Sequence, residues 1–316
     1  MGHVLVVGDA NVDLVIHLPG AAAPPHQGEL QARIVGGGTG ANTAVALARL
    51  GVPVSFAGTI GHDRYGRWIA EDFEHEHVDT RGLVVRAEAF TPTVVIVVGA
   101  DGERHAVLWP PEGWAHTLLH PTDLPSALIA EAGWLHTTGM CLRAMPVRTA
   151  MLHAMRVARA AGVPVSLDLN LRLELWGWDD DVRQAIRQAV ELADVVLGNA
   201  REEIVPLAEC DDLVAAAQAL CDRQRIVVAR LGAEGALAVA PGQVVRAPAF
   251  PAAVVNTVGA GDAFDGGFIA ARLAGRPLGD ALRWGNAVAA LKIQGDSARA
   301  LPSRAEVEAL LASRPR

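Results

Sequence analysis

Between residues 133 and 232 a single pattern repeats: a short β-branched run, a stretch of helical periodicity, then another run. The runs are "GWLHTTG", "VPVSLDLN", "DVVLGN" and "RIVVARLG", and the intervening residues predict helices over 146–161, 180–193 and 200–222. Antiparallel strands can be joined by a tight turn, but parallel strands need a crossover of helical length. The repeat therefore predicts βαβ units, a parallel sheet and right-handed connections, which restricts the chain to the α/β class. Upstream, "HVLVVGD" is a further buried-strand pattern, and its polar exit at Asp9, Asn11 and Asp13 falls where such strands meet a ligand cleft. "GGGTGANTAVALARLG" reads as a glycine turn opening a helix that Gly51 closes. "VPVSFAGTIG" predicts a strand, and "DRYGRWIAEDFEHEH" a helix with Trp68, Ile69 and Phe73 on one face.

Two stretches break this rhythm. Residues 12–35, interrupted by Pro19, Gly20, Pro24 and Pro25, suit a small sheet, and 91–109 reads as a hairpin turning at Ala100-Asp101-Gly102. Near the other end, "GALAVA" and "VVRAPAF" look like antiparallel edge strands, followed by helix. The expectation is one α/β domain over residues 1–316 carrying a small β appendage.

Composition narrows the function. Lys292 is the only lysine among 27 basic residues, so the chain contains no GxxxxGK[ST] string and any Schiff-base chemistry would depend on that one residue, expected late in a helix. Net charge is −8 with no long basic run, which removes the electrostatic footprint of a nucleic-acid binder and favours a small-molecule ligand. The amino terminus has neither a signal-peptide pattern nor a membrane span. Cys141, Cys210 and Cys221 are widely spaced and read as free thiols of a reducing cytoplasm. The histidines show neither HxH nor HExxH spacing, so no dedicated transition-metal site is expected.

The segment "VVNTVGAGDAFDGGFIAARL", 254–273, sets glycines and one aspartate between a β-branched run and a helix. Successive amides of Gly259, Ala260, Gly261 and Asp262 at a helix start form an anion site, and glycines let a phosphate approach the backbone. Asp262 then lies beside the anion, suited to taking a proton from a hydroxyl. A helix N-cap would also explain an aspartate there, and on this segment alone the two readings stand level.

A second motif separates them. "GGGTGANTAVALARLGVPVSFAGTIGHDRYGRWI" and "NTVGAGDAFDGGFIAARLAG" resemble the amino- and carboxy-terminal signatures of the ribokinase-like (PfkB) carbohydrate kinase family, and the resemblance runs from "GDANVDLV" to "ALPSRAEVEAL". It implies a ribokinase-like three-layer α/β/α fold with a mostly parallel central sheet, and a β lid formed by about 12–35 and 91–109. It also implies transfer of the γ-phosphoryl of Mg-ATP to a primary hydroxyl of a small sugar. Asp262 would be the base, with Gly259, Ala260 and Gly261 lining the anion hole.

The resemblance assigns further roles residue by residue. Asn199 and Glu202 match an NxxE motif that organises Mg²⁺ through water, with Glu203 an exposed neighbour. Asn11, Asp13, Gly37, Gly38 and Asn42 match sugar-binding positions. Asp168, Asn170 and Arg172 resemble the DxNxR stretch of fructokinase-like and 2-keto-3-deoxygluconate kinase-like members, and would share one side if the strand continued. Leu231, Gly232, Gly235 and Asn286 are candidates around the adenine and ribose. Arg104, His105 and Trp109 would reach the substrate from the lid, whose edges suit a homodimer. Asn256 stands where many relatives carry an aspartate that helps hold a monovalent cation, so K⁺ should bind weakly and activate little. Thr39 replaces the lysine of the ribokinase GGKGAN, a departure from a true ribokinase, and the DLNLR stretch favours a ketohexose or 2-keto-3-deoxy sugar acid over ribose. A nucleoside kinase of the same fold and a silent sugar-binding regulator are the competing readings; a dinucleotide oxidoreductase is disfavoured because Ala41 replaces the third glycine of GxGxxG.

Overall fold

The computed structural model describes residues 2–18, 31–99, 104–173, 177–222 and 224–314. Its strands are β1 (Val4–Val7), β2 (Asn11–His17), β3 (Gln31–Gly37), β4 (Val54–Gly61), β5 (Asp79–Arg86), β6 (Thr93–Val98), β7 (Arg104–Trp109), β8 (Trp134–Thr138), β9 (Val165–Asp168), β10 (Val195–Asn199), β11 (Ile226–Arg230), β12 (Ala236–Ala240) and β13 (Gln243–Ala247). Nine of them form one sheet in the order β13-β12-β11-β10-β9-β8-β1-β4-β5. From β5 to β11 every neighbouring pair is parallel, and β12 and β13 close one edge antiparallel, so the predicted α/β class and the edge strands are present.

The sheet is covered on both faces, as a parallel sheet must be. Alternation along β1 shows how: Val4 and Val6 join a core with the helices Thr39–Arg49 and Ala260–Leu273, while Leu5 and Val7 join a second core with Val147–Ala160 and Asp180–Leu192. All four side chains are fully buried, each contributing roughly 1.5–3 kcal/mol. Two helix starts carry capping acids. Asp63 accepts from the amides of Tyr65 and Gly66, and Asp179 from that of Val182.

A second sheet has the order β3-β2-β6-β7. β2 runs antiparallel to β3 and parallel to β6, and β6 and β7 form the predicted hairpin, whose turn residues 100–103 lie outside the described residues, as do 19–30. The sequence reading missed β5, "DTRGLVVR", because a partly exposed edge strand shows neither a continuous apolar run nor clean alternation. The helices expected over 200–222 are a π-helical turn, Ala200–Ile204, then the short helices Val205–Ala208 and Leu213–Leu220, divided where Glu209 takes a left-handed conformation (φ 53°).

The connections out of β1 explain where the site forms. The chain passes from β1 to β4 and β5 on one side, then returns to β8 on the other, so β1 marks the point where strand order reverses. Ligands of open α/β sheets bind beyond the carboxyl ends of strands at such a point. Gly8 and Asp9 stand there, immediately before β2.

Candidate functional site

Two glycine turns meet at this end of the sheet. The first, Gly36–Gly40, opens the helix Thr39–Arg49. Gly38 has φ 94°, and a Cβ on it would lie 2.7 Å from Ala10 Cα and Asp9 O, so only glycine fits. The carboxylate of Asp9 fills this turn, accepting from the amides of Thr39 (3.0 Å) and Gly40 (3.1 Å) and from the Thr39 hydroxyl (2.8 Å). Asp9, expected at the cleft entrance, is thus a cap built into the fold.

The second turn opens the helix Ala260–Leu273. Gly259, in the left-handed region (φ 78°), forms its N-cap and supplies no side chain to the first-turn amides. Among the described residues no carboxylate bonds to them. The amide of Ala260 turns back to Thr257 O at 3.1 Å, which corrects the expectation that all the turn's amides point toward a ligand. Gly261 lies against Arg230, whose Cζ would be 3.2 Å from an added Cβ.

Helix packing places Asp262. A Cβ on Gly266 would lie 2.7 Å from Ala46 Cβ, so glycine lets the helices Ala260–Leu273 and Thr39–Arg49 approach closely. One turn earlier on each helix, Asn42 Nδ2 donates to Asp262 Oδ2 at 2.8 Å. Both residues are buried, and Asn42 Oδ1 has no hydrogen-bond partner among the described residues. Burial pushes the Asp262 carboxyl up to about 7, with the nearby Asp168 and Asp9 charges adding to the rise while Asn42 and Arg230 hold it down.

The candidate sugar residues gather on β2 and β3. Asn11 Nδ2 donates to Asp13 Oδ1 at 2.8 Å, and Asn11 pairs with Gly37 in the sheet register. A Cβ on Gly37 would fall 2.5 Å from Asn11 Nδ2 and 2.7 Å from Asp13 Oδ1, so a side chain there would displace this pair. Burial raises the Asp13 carboxyl to about 6, opposed by the Asn11 amide and Arg299. Arg104 pairs with Val98 in the hairpin, and its side chain lies outside the described residues.

The DLNLR stretch departs from the even alternation expected of it. β9 ends at Asp168, and Asn170 (φ 37°) and Arg172 (φ 47°) are left-handed, so the three side chains do not share a strand face. Asp168 Oδ1 accepts from Arg230 at 2.6 Å, and Asn170 Oδ1 accepts from Arg172 Nε at 2.8 Å, leaving the Arg172 side chain in solvent. Strained backbone of this kind concentrates at ligand clamps.

In the NxxE region one expectation is corrected, the exposure of Glu203. Asn199 Oδ1 caps the turn, accepting from the amides of Arg201 and Glu202, and Glu202 is exposed as a water-mediated ligand would be. Glu203, expected to be exposed, is buried, and its carboxylate accepts from the amides of Leu171 (2.9 Å) and Asn199 (2.6 Å). It belongs to a cluster that sequence reasoning missed. Arg230, at the end of β11, is paired with Asp168, with Asp265 at 2.7 Å and with Glu203 at 3.5 Å. A lone arginine closing an apolar strand, and a second aspartate three residues after Asp262, were the available signals.

The nucleotide candidates surround the turn between β11 and β12. Leu231 N bonds to Gly235 O at 2.8 Å, Gly232 (φ 59°) has open space at its Cβ position, and Gly235 packs too tightly against Ala247 O for any side chain. Asn286 donates to the carbonyls of Ala247 and Pro248, both at 3.0 Å, so its amide hydrogens pin backbone. Asn256 is likewise committed: Nδ2 donates to Asp296 O at 2.8 Å and Oδ1 accepts from Val258 N at 2.9 Å. No helix among the described residues is long and apolar enough to cross a membrane.

Comparisons with known proteins agree with this geometry. Residues 1–304 match the model of the pfkB family carbohydrate kinases. The chain is 35% identical to a fructokinase of Klebsiella pneumoniae over 85% of its length and 84% of that protein's. It is 33% identical to an aminoimidazole riboside kinase of Salmonella typhimurium, covering 85% of this chain and 80% of that one. Among solved structures, a fructokinase double mutant from Vibrio cholerae O395, bound to fructose, ADP and potassium ion, superposes with a TM-score of 0.83 at 31% identity, covering 98% of each chain. With the family match spanning most of its length and the shared fold, the chain belongs to the pfkB family of carbohydrate kinases, phosphotransferases whose acceptor is an alcohol group.

Proposed function

We propose that this enzyme transfers the γ-phosphoryl of Mg-ATP to a primary hydroxyl of a small sugar, a ketohexose or 2-keto-3-deoxy sugar acid ahead of ribose. The observation that carries the reading is the buried Asp262 carboxylate, fixed by Asn42 and following directly on a glycine turn whose amides no carboxylate among the described residues occupies. A base with its pKa near 7 is half ionised at neutral pH, where it combines availability with proton affinity.

In this scheme the Asn11–Asp13 pair and Asn42 Oδ1 bind sugar hydroxyls, and an analogue lacking one would leave a buried polar atom unpaired. Asp262 takes the proton of the attacking hydroxyl. The amides of Gly259, Gly261 and Asp262 receive the transferring phosphoryl, and the helix dipole favours its charge. Glu202, exposed and acceptor-only, fits a hydrated Mg²⁺, which keeps several waters and needs few protein ligands. When bound, the ion neutralises phosphate charge. Leu231, Gly232 and Gly235 border the nucleotide, and the β2-β3-β6-β7 sheet acts as the lid that excludes water. Arg172, with its exposed guanidinium steadied by Asn170, suits a sugar-acid carboxylate. We further propose a homodimer through the lid sheet, whose Val107 and Trp109 are exposed.

The similarity to an aminoimidazole riboside kinase favours a second reading, a riboside acceptor. One assay separates them: sugar-dependent ADP release with Mg-ATP over fructose, 2-keto-3-deoxygluconate, ribose, tagatose and ribosides. Turnover on a ketose or keto-acid supports the proposal, and turnover confined to ribosides replaces it.

A further inference from the structure

The one lysine of the chain has no part in the mechanism above, yet it is fully buried. Lys292 ends the helix Leu278–Lys292, and its Nζ donates to the backbone carbonyl of Asn256 at 2.8 Å. Burying an ammonium is costly unless acceptors surround it, so a buried lysine at a fixed place needs a reason.

The residues around it supply one. Asn256 lies three residues before Gly259, on the strap that enters the open turn. That strap is fastened to the residues following Lys292: the amides of Val255 (2.8 Å) and Asn256 (3.1 Å) both bond to Ile293 O, and Asn256 Nδ2 reaches Asp296 O. A Cβ on Gly259 would lie 3.3 Å from Ala298, in the same segment. Every other basic side chain in the protein except histidine is a planar guanidinium. Only lysine offers a compact point charge able to sit on a carbonyl as a small monovalent cation would.

We propose that Lys292 is a positioning residue for phosphoryl transfer, its buried ammonium serving the Asn256–Asp262 turn as a resident monovalent cation. The inference rests on the reading that this turn holds the phosphoryl group. It adds that the enzyme needs no dissolved K⁺, because the ammonium already fixes the Asn256 carbonyl and places positive charge near the anion's seat.

Turnover is measured on the sugar that the panel assay identifies, in potassium, ammonium and choline chlorides at equal ionic strength. The wild type should vary less than about twofold, whereas Lys292→Ala should lose about tenfold or more in kcat with sugar KM little changed, and recover part of it with K⁺ or methylammonium. A structural role alone gives no such rescue. In protein labelled with ¹⁵N-lysine there is a single lysine Nζ, whose NMR signal should be observable, protected from water and shifted by ADP with Mg²⁺. A wild type activated tenfold or more by K⁺, a folded Lys292→Ala that no cation rescues, or an Nζ signal indifferent to ADP overturns the proposal. If Lys292→Ala does not fold, the wild-type salt series and the Nζ signal decide. If no sugar turns over, the kinase reading fails, while the Nζ response still reports whether the lysine senses bound phosphate.

Discussion

The two glycine turns look alike in sequence and behave as opposites. Each places a positive-φ glycine at a helix N-cap and leaves that helix without a capping side chain of its own, at Gly38 and at Gly259. The first turn is satisfied from within, because Asp9 inserts its carboxylate against the amides of Thr39 and Gly40. Among the described residues the second receives no carboxylate; Arg230, itself paired with Asp168, Asp265 and Glu203, packs against Gly261, and Lys292 donates to the carbonyl of Asn256. A helix start filled by its own carboxylate is structure, whereas one left open beside fixed positive charge is suited to a ligand's phosphate.

The most severe way to break this comparison is to remove a cation that supports the open turn. Arg230→Met leaves Asp168, Asp265 and Glu203 without a counter-ion, and truncating one partner of a buried ionic cluster costs about 3–5 kcal/mol. Chemical denaturation should show that loss at neutral pH. Emptying the closed turn costs less: Asp9→Ala should lower stability by about 1–2 kcal/mol, the range of a lost N-cap. Its kinetic effect is the sharper test. Asp9 helps raise the Asp262 pKa, so the acid limb of the pH–rate profile should move to lower pH in Asp9→Ala. Asn42→Ala should move it the other way, since the lost hydrogen bond stabilised the charged carboxylate, and should raise the sugar KM.

Stability gives a smaller effect of predictable sign. The Asp262 pKa is raised on folding, so its contribution is fully present below the unfolded value near 3.8 and is lost as pH rises through about 7. Asp262→Asn should therefore melt no lower than the wild type at pH 8, and relatively lower at pH 5.

Much of this was legible in the sequence because it is local. The strand–helix rhythm of 133–232 and the glycine turns with the aspartate after them depend on residues close in the chain. What stayed hidden is non-local or geometric. Asn42 was matched to the sugar, but its partnership with Asp262 spans 220 positions. Glu203 is buried rather than exposed because a π-helical turn carries the acid after Glu202 into the Arg230 cluster. The even alternation expected at Asp168, Asn170 and Arg172 failed because β9 ends at Asp168 and the backbone then turns left-handed twice. Lys292 was correctly placed at a helix end, yet only the fold reveals the carbonyl it meets.

The most direct test of the open turn and its base is sugar-dependent ADP formation by the wild type and Asp262→Asn, with ATP affinity measured by calorimetry on the same samples. The account predicts a fall in kcat of about 10²–10⁴-fold, the usual contribution of a general base, with ATP affinity within about threefold of the wild type. An Asp262→Asn enzyme that keeps its turnover, or that loses ATP binding in parallel with it, would contradict the assignment of Asp262 as the proton acceptor beside an intact phosphoryl site.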